Sequence, residues 1–270
     1  MINKPNIFCK YLNYKKNTLF FEDLDCSFLI KKFGSPLYCY SINEIKNNFT
    51  SFLNATSSFN SLIFYALKAN FNNKIVSLLS KMGSGFDVVS KGEIEHCLKL
   101  GIKPKKIVFS GVGKSKEELS FALDKDIFQI NIESLEELIE IEKIIEKKKV
   151  IPKTKISLRV NPDIDANTHK KISTGRLEDK FGIPYHRIIS IFDRFKDSKF
   201  IKISGLAIHI GSQITDIKPF EKAFTKIRDL ILLLEKKNHK ISRLDLGGGI
   251  GIIYSGNKVI SLKDYTEIIK

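Results

Sequence analysis

A regular alternation of short apolar segments and helical segments constrains the fold of this chain more than any other feature. Seven apolar segments have the length of buried strands; they cover residues 61–68, 85–89, 106–111, 127–132, 155–161, 204–211 and 242–248. Helical segments lie between them, and several begin on serines suited to cap a helix, such as Ser41, Ser115 and Ser134. Strands and helices that alternate through short connectors form parallel β/α units. The sequence therefore predicts an α/β fold.

The number of units favours one architecture. Seven units are too many and too regular for a small doubly wound sheet, and they favour an eight-stranded parallel barrel of the TIM type. The final residues, 261–270, have the pattern of a helix that precedes an eighth strand. We therefore expect a TIM-type (β/α)8 barrel that stops after about seven strands.

Charge and composition argue against several partner classes. The formal net charge is +15, but only six of the 45 basic residues are arginine, and the lysines are spread along the chain. Nucleic-acid interfaces favour clustered arginines and aromatic residues, so we expect no nucleic-acid partner. No apolar run reaches the length of a membrane span, and the first residues lack the apolar block of a signal peptide. The four cysteines show no CxxC pair, so we expect a cytoplasmic protein.

Polar residues recur near the carboxyl ends of the predicted strands, where barrel enzymes place their catalytic groups. Side chains alternate along a strand, which predicts an inward face of Ala66, Lys68, Gly85, Asp87, Ser157, Arg159, Asn161, Gly205, Ala207, His209, Asp245 and Gly247. Small residues occupy the lower positions and one polar or ionisable residue lies near each end. This pattern predicts an open barrel mouth that accepts a flat ligand.

Two glycine-rich loops follow predicted strands. HIGSQ (209–213) and LGGGIG (246–251) can direct several backbone N–H groups at one anion, as in a phosphate nest. A tight turn is the simpler interpretation of a glycine triplet. A dinucleotide fingerprint is disfavoured, because the spacing Gly247, Gly249 and Gly251 differs from GxGxxG and the following residues are not helical.

The two glycine-rich loops favour a functional role for Lys68 and His209. Taken singly, such a lysine usually reaches solvent, and such a histidine is usually structural. Together with phosphate donors they match a Schiff-base lysine and a flat ring for pyridoxal 5′-phosphate (PLP). We expect Phe64 and Ala66, or the cation Arg159, to favour the neutral amine that imine formation needs. The remaining histidines lack the spacing of metal ligands, so no metal site is predicted.

From about Phe33 to its end, the chain resembles the N-terminal part of the diaminopimelate decarboxylase family, within the alanine racemase-like barrel class of PLP enzymes. The resemblance rests on FGSPLYCYS, FYALKAN, GFDVVSKGEIEHCLKLGI, VFSGVGKS, INIESLEEL, GLAIHIGSQITD and LDLGGGIGI. YALKAN and HIGSQ are shared with ornithine and arginine decarboxylases. NPDIDANTHKKISTG (161–175) is the segment more specific to the diaminopimelate branch.

The resemblance implies residue roles and a reaction. Lys68 forms the imine that holds PLP and His209 stacks on its ring. Asp87 and Arg159 surround the cofactor, and the phosphate is bound by Ser212, Gly247, Gly248 and Gly249. The implied reaction removes CO2 from meso-diaminopimelate to give L-lysine, in a homodimer when full length.

The resemblance also predicts missing parts. Residues 1–40 correspond to a segment associated with a C-terminal β-domain, and residues 41–270 to an incomplete PLP-binding barrel. The family's Glu-Pro-Gly-Arg stretch and β-domain are not found in this sequence, so we expect weak cofactor binding and no turnover by the chain alone. The alternatives are a decarboxylase of the ornithine, arginine or polyamine type, a single-domain PLP carrier, or a noncatalytic binding protein.

Overall fold

The first structural unit is a small antiparallel sheet and a helix. The computed structural model describes residues 10–149, 154–166, 174–176, 179, 181–253 and 259–270. The unit consists of β1 (Leu12–Lys15), β2 (Thr18–Phe21), β3 (Leu24–Asp25) and α1 (Cys26–Phe33). We did not predict this unit, because strands of two to four residues carry too little periodicity to be recognised.

The rest of the described chain alternates strands and helices. Its first half contains α2 (Ile42–Ala55), β4 (Phe64–Ala66), α3 (Asn73–Lys81), β5 (Gly85–Val88), α4 (Lys91–Lys99), β6 (Ile107–Phe109), α5 (Lys116–Asp124), β7 (Gln129–Ile132) and α6 (Leu135–Lys148). Its second half contains β8 (Lys155–Asn161), β9 (Ile183–Pro184), α7 (Ile188–Phe195), β10 (Ile203–Ala207), α8 (Lys218–Lys236), β11 (Arg243–Asp245) and α9 (Leu262–Glu267).

Seven of these strands form one parallel sheet. Their order is β11-β10-β8-β7-β6-β5-β4, and the two-residue strand β9 pairs with β8 beside this path. All seven predicted strands are confirmed, most with shorter bounds than predicted. Within the described residues no strand joins β4 to β11, so the sheet is an open part of a barrel, as expected.

Serine caps start the helices that follow the strands. Ser90, Ser115 and Ser134 each accept a hydrogen bond from the backbone N–H three residues later. At Ser115 the Glu118 carboxylate also accepts from the Ser115 N–H at 3.0 Å, which completes a capping box. These caps satisfy N–H groups that the first helical turn leaves without partners, and they fix where each strand gives way to its helix.

The core lies between the outer face of the sheet and the helices. Outward residues such as Phe86, Leu158 and Leu206 are fully buried there. Near the amino ends of the strands, the Phe128 ring lies 5.4 Å from that of Phe64 and 3.8 Å from the Arg243 guanidinium carbon.

Helices from the two ends of the chain also meet. Tyr265 of α9 is buried against Phe220 of α8 and Phe52 of α2, with ring centroids 5.2 and 6.2 Å apart respectively. This aromatic contact links the helix before the first barrel strand to the helix after the last one. Among the described residues, no helix is both long enough and apolar enough to cross a membrane.

Candidate active site

The mouth of the barrel, meaning the carboxyl ends of the seven parallel strands and the loops after them, contains Lys68. Strand β4 ends at Ala66, and Lys68 lies in a 3-10 turn, Leu67–Ala69, directly after it. The prediction that the strand extends to Lys68 is therefore wrong: the chain turns after Ala66 and buries Leu67. The Lys68 side chain is exposed, so the expected desolvation by Phe64 and Ala66 is not found.

His209 lies two residues beyond β10 and is partly buried. Burial, together with the positive charges of Arg159 and Lys68, lowers the pKa of His209 to about 4. The imidazole is therefore neutral near pH 7. The Gly248 N–H donates to His209 Nδ1 at 3.4 Å, which assigns the ring proton to Nε2.

The two glycine-rich loops lie side by side at the mouth. The Ile214 N–H donates to the Gly249 carbonyl at 2.8 Å, and the Gly251 N–H donates to the Ile214 carbonyl at 2.9 Å. Gly247 and Gly249 have φ values of +68° and +106°, and a Cβ at either position would overlap a carbonyl oxygen of the neighbouring loop. These two glycines are required by backbone conformation and close packing.

Gly248 and Ser212 are the residues of these loops that we consider for ligand binding, because both face open space. A Cβ on Gly248 would meet nothing within 4 Å, so one side of this residue faces open space. Ser212 is exposed on the adjacent loop. Gly248 and the Ser212 hydroxyl therefore border the same mouth as His209, and the hydroxyl can donate to an anion.

Asp87 is the most strongly perturbed carboxyl group of the mouth. Burial raises its pKa to about 7, and the nearby charge of Asp245 acts in the same direction. A hydrogen bond from Ser110 Oγ at 2.5 Å and the positive charges of Lys68 and Arg159 act against this rise. Asp87 therefore lies within the electrostatic reach of Lys68, as its predicted role requires.

Arg159 is paired rather than free. Its Nη1 lies 2.6 Å from Glu133 Oε1, and the other oxygen of Glu133 accepts from the Gly182 N–H at 3.0 Å. The Arg159 guanidinium also lies 5.1 Å from the centroid of the Phe181 ring. Glu133, which we did not predict, thus fixes Arg159 at the mouth and ties the 181–182 backbone to the sheet.

Three further polar residues escaped the sequence analysis. Gln129 and Asn131 on β7 are buried, and Ser110 follows β6. They form a hydrogen-bonded chain that joins Asp87 to Asp245. The signal was present in IFQINI, because two polar residues two positions apart in an otherwise apolar strand share its inward face.

The chemical groups of these mouth residues match the phosphate, the aldehyde and the ring of PLP. Phosphate needs hydrogen-bond donors and room, which the Ser212 hydroxyl and the open space beside Gly248 supply. The aldehyde needs an accessible amine, which Lys68 supplies, and the neutral imidazole of His209 offers a flat ring. Among the described residues, no group of three or more His, Cys, Asp or Glu could hold a metal ion.

A parallel β/α barrel with such a mouth defines the class of PLP-binding barrels. A family model described as "Pyridoxal-dependent decarboxylase, pyridoxal binding domain" matches residues 42–270. The chain therefore belongs to the pyridoxal-dependent decarboxylases, and its cofactor is PLP. The predicted fold class, family and cofactor are confirmed, whereas the roles of individual site residues stay predictions.

Curated relatives show which enzyme of this family the chain is similar to. The chain is 42% identical to the diaminopimelate decarboxylase of Zymomonas mobilis over 261 residues, 95% of this chain and 62% of that protein. It is 40% identical to that of Aquifex aeolicus over 96% of this chain and 61% of that protein. The chain thus spans about three fifths of the length of these relatives.

Solved structures agree with these relatives. Diaminopimelate decarboxylase from Helicobacter pylori, complexed with L-lysine, superposes with a TM-score of 0.86 at 42% identity, covering 90% of this chain and 61% of that one. Residues 167–173 of the segment more specific to this branch, NPDIDANTHKKISTG (161–175), lie outside the described residues, so the role of that segment stays a prediction.

Proposed function

We propose that this chain forms the PLP-binding part of a diaminopimelate decarboxylase, which removes CO2 from meso-diaminopimelate and yields L-lysine. The observation that carries the proposal is the 42% identity to a diaminopimelate decarboxylase over 95% of the chain. The H. pylori relative, whose structure contains L-lysine, supports the same product class. A homodimeric state of the full-length protein is part of the proposal.

The side chains of the mouth have separate tasks. When bound, PLP supplies the electron sink that accepts the electron pair left after a carboxylate departs as CO2. Lys68 would hold the cofactor through its side-chain amine, which its exposed position leaves accessible. Ser212 would donate its hydroxyl to the phosphate, and the loop of Gly247, Gly248 and Gly249 would leave the room for it. Asp87 and the Glu133–Arg159 pair fix the charge around the reacting groups.

His209 has a task that depends on its protonation state. Because its imidazole is neutral, it presents a ring face to the cofactor without adding a positive charge beside Lys68 and Arg159. The Gly248 N–H holds the ring by its Nδ1 atom. His209 therefore orients the cofactor and does not supply a proton from a charged form near pH 7.

Borohydride reduction tests the role of Lys68 in the 270-residue chain. We expect reduction of the PLP-loaded chain to fix the cofactor on Lys68, with no stable adduct after Lys68→Ala. Lys74→Ala is the matched control, because Lys74 is also exposed and lies six residues further along the chain, in the first turn of α3. Cofactor fixed on another lysine of the wild type would overturn the assignment.

A chimera tests the reaction. Residues 1–270 would be joined to the remaining C-terminal part of the Z. mobilis relative, which is 42% identical over the shared region. We expect release of CO2 from meso-diaminopimelate with L-lysine as the product, and little release from ornithine or arginine. A preference for ornithine or arginine would support the alternative decarboxylase types.

The alternative has weak structural support, because lysine/ornithine decarboxylase of Vibrio vulnificus, at 21% identity and TM-score 0.75, shows the fold alone.

A further inference from the structure

A pair of hydrogen bonds crosses the inside of the sheet and ends at the first glycine of the LGGGIG loop. The Asn131 side chain is buried on β7, and its Nδ2 donates to Asp245 Oδ2 at 2.8 Å. The other carboxylate oxygen of Asp245, Oδ1, accepts from the Gly247 N–H at 2.9 Å. Strands β8 and β10 lie between β7 and β11 in the sheet, so this one carboxyl group joins a distant strand to the loop backbone.

Gln129 sets the orientation of the Asn131 amide. The Gln129 Nε2 donates to Asn131 Oδ1 at 2.8 Å, which turns the Nδ2 group of Asn131 toward Asp245 and Ser110. Both amide side chains are buried, where a polar group that left its partners would find no water to replace them. Asn131 is therefore a fixed donor to Asp245.

The position of Gly247 determines how the loop lies against His209. Gly247 has a φ of +68°, and a Cβ there would lie 2.3 Å from the Ile208 carbonyl oxygen and 3.1 Å from His209 Nδ1. The next residue, Gly248, donates its N–H to the same His209 Nδ1 at 3.4 Å. A shift of Gly247 would therefore change the contact with His209 and the open space beside Gly248.

The two ends of the loop are held in different ways. At the far end, the Gly249 carbonyl and the Gly251 N–H are bonded to the backbone of Ile214. At the near end, the Gly247 N–H is bonded to the Asp245 side chain, which Asn131 holds in turn. The near end therefore depends on a side chain of another strand.

We propose that Asn131 is a positioning residue, which holds the near end of the LGGGIG loop through Asp245 and thereby keeps the place of the cofactor phosphate. The identity of the ligand rests on the proposed function. The hydrogen bonds themselves belong to the cofactor-free protein, so they can be tested without the cofactor.

Exchanging the two side chains tests the contact. In Asn131→Asp two carboxyl groups face each other, and in Asp245→Asn two amides do, so each single variant loses one of the two hydrogen bonds. In the double variant the amide at position 245 can donate to the carboxylate at position 131 and still accept from the Gly247 N–H. Both hydrogen bonds can therefore form again, and the double-mutant cycle isolates their effect.

Solvent exchange of the Gly247 amide is the direct measurement, made by NMR on cofactor-free protein with 15N-labelled glycine. The Gly85 amide is the internal reference, because it donates to the Ile63 carbonyl at 2.9 Å and contacts neither substituted side chain through this bond. Relative to Gly85, exchange at Gly247 should be about tenfold faster in each single variant and within about twofold of wild type in the double variant.

Ser110→Ala is the matched control. The Ser110 Oγ is the other acceptor of the Asn131 Nδ2 group, at 3.1 Å, and its removal leaves both hydrogen bonds of Asp245 in place. We expect wild-type exchange at Gly247 in this variant. An acceleration equal to that of the single variants would show that any change in the polar network loosens the loop, and would overturn the specific role of the Asn131–Asp245 contact.

Cofactor affinity shows whether the held loop serves the phosphate. PLP and pyridoxal differ only by the phosphate group, so the ratio of their dissociation constants measures what the phosphate site contributes. Each single variant should bind PLP about fivefold more weakly in a fluorescence titration, with pyridoxal affinity changed less than about twofold, and the double variant should recover. Equal weakening for both ligands would mean that Asn131 has only a structural role.

Unchanged exchange at Gly247 in the single variants, or a double variant no closer to wild type than they are, would overturn the inference. Should one single variant fail to fold, the other single variant and the double variant still give the comparison. Failure of the proposed function has a different signature. A wild type that did not bind PLP would contradict that function, while the exchange rates would still decide whether Asn131 holds the loop.

Discussion

At the scale of single residues, the titration of Asp87 links the site to the stability of the fold. The folded chain holds the pKa of Asp87 at about 7, above the usual value of 3.8. Between these two values the folded state binds a proton that the unfolded state has lost, so the Asp87 contribution makes the free energy of unfolding fall as pH rises through this interval. Ionising a partly buried carboxyl group is the physical cause.

Asp87→Asn should remove this contribution. The amide oxygen still accepts from Ser110 Oγ, but the side chain has no proton to lose. We expect the stability of the variant relative to wild type to increase by about 2 kcal/mol between about pH 4 and about pH 8, because Asp87 is only partly buried. Urea unfolding at several pH values measures this difference.

The titration of His209 does not confuse this comparison, because the wild type and the variant both contain that residue. Its pKa of about 4 makes its own contribution to stability decline only as pH falls through the interval from 6.5 to 4. A difference between wild type and Asp87→Asn that stays constant with pH would show that Asp87 titrates at its ordinary value.

At the scale of elements, the packing of the two adjacent glycine-rich loops requires glycine at one position and not at its neighbour. Gly249 has φ +106° and no room for a Cβ beside the Gly211 carbonyl, whereas Gly248 has open space on that side. We expect Gly249→Ala to destabilise the chain by about 2 kcal/mol or more, because both strain and overlap are introduced. Gly248→Ala should leave the melting temperature nearly unchanged.

Cofactor affinity separates the two variants further. Since Gly248 borders the open mouth, an added methyl group there should weaken PLP binding severalfold in a fluorescence titration while the fold persists. Gly249→Ala should weaken binding only together with stability. Equal melting temperatures for both alanine variants would show that the packing of the two loops does not determine the need for glycine.

The elements also show what could be read from the sequence. Apolar segments and serine caps were enough to place all seven parallel strands, because periodicity and capping are local properties. The end of the strand before Lys68 could not be predicted in this way. Leu67 turns into the core there, and this turn depends on packing against residues distant in the sequence. Ion pairs such as Glu133–Arg159 join residues 26 positions apart, and one sequence alone does not reveal such pairs.

At the scale of the whole molecule, the N-terminal part leaves an unusual amount of apolar surface uncovered. Phe28, Phe33, Tyr38 and Tyr40 are each at least half exposed, and Leu24 and Ile30 are similarly exposed nearby. Uncovered apolar area of this kind marks a contact surface in soluble proteins. That residues 1–40 contact the C-terminal β-domain of the family stays a prediction, and this surface gives it a physical basis.

The 270-residue chain should therefore associate with itself through this surface. Burying aromatic side chains of this size is favourable by about 2 kcal/mol each, so association should increase with protein concentration. The double variant Phe33→Ser, Tyr38→Ser should elute later in size exclusion with light scattering and bind less of an apolar dye. Leu232→Ser, Leu233→Ser on α8 is the matched control, because these leucines are also exposed but lie on another part of the molecule. A monomeric wild type at every concentration, or an equal effect of the α8 control, would show that the N-terminal surface does not drive association.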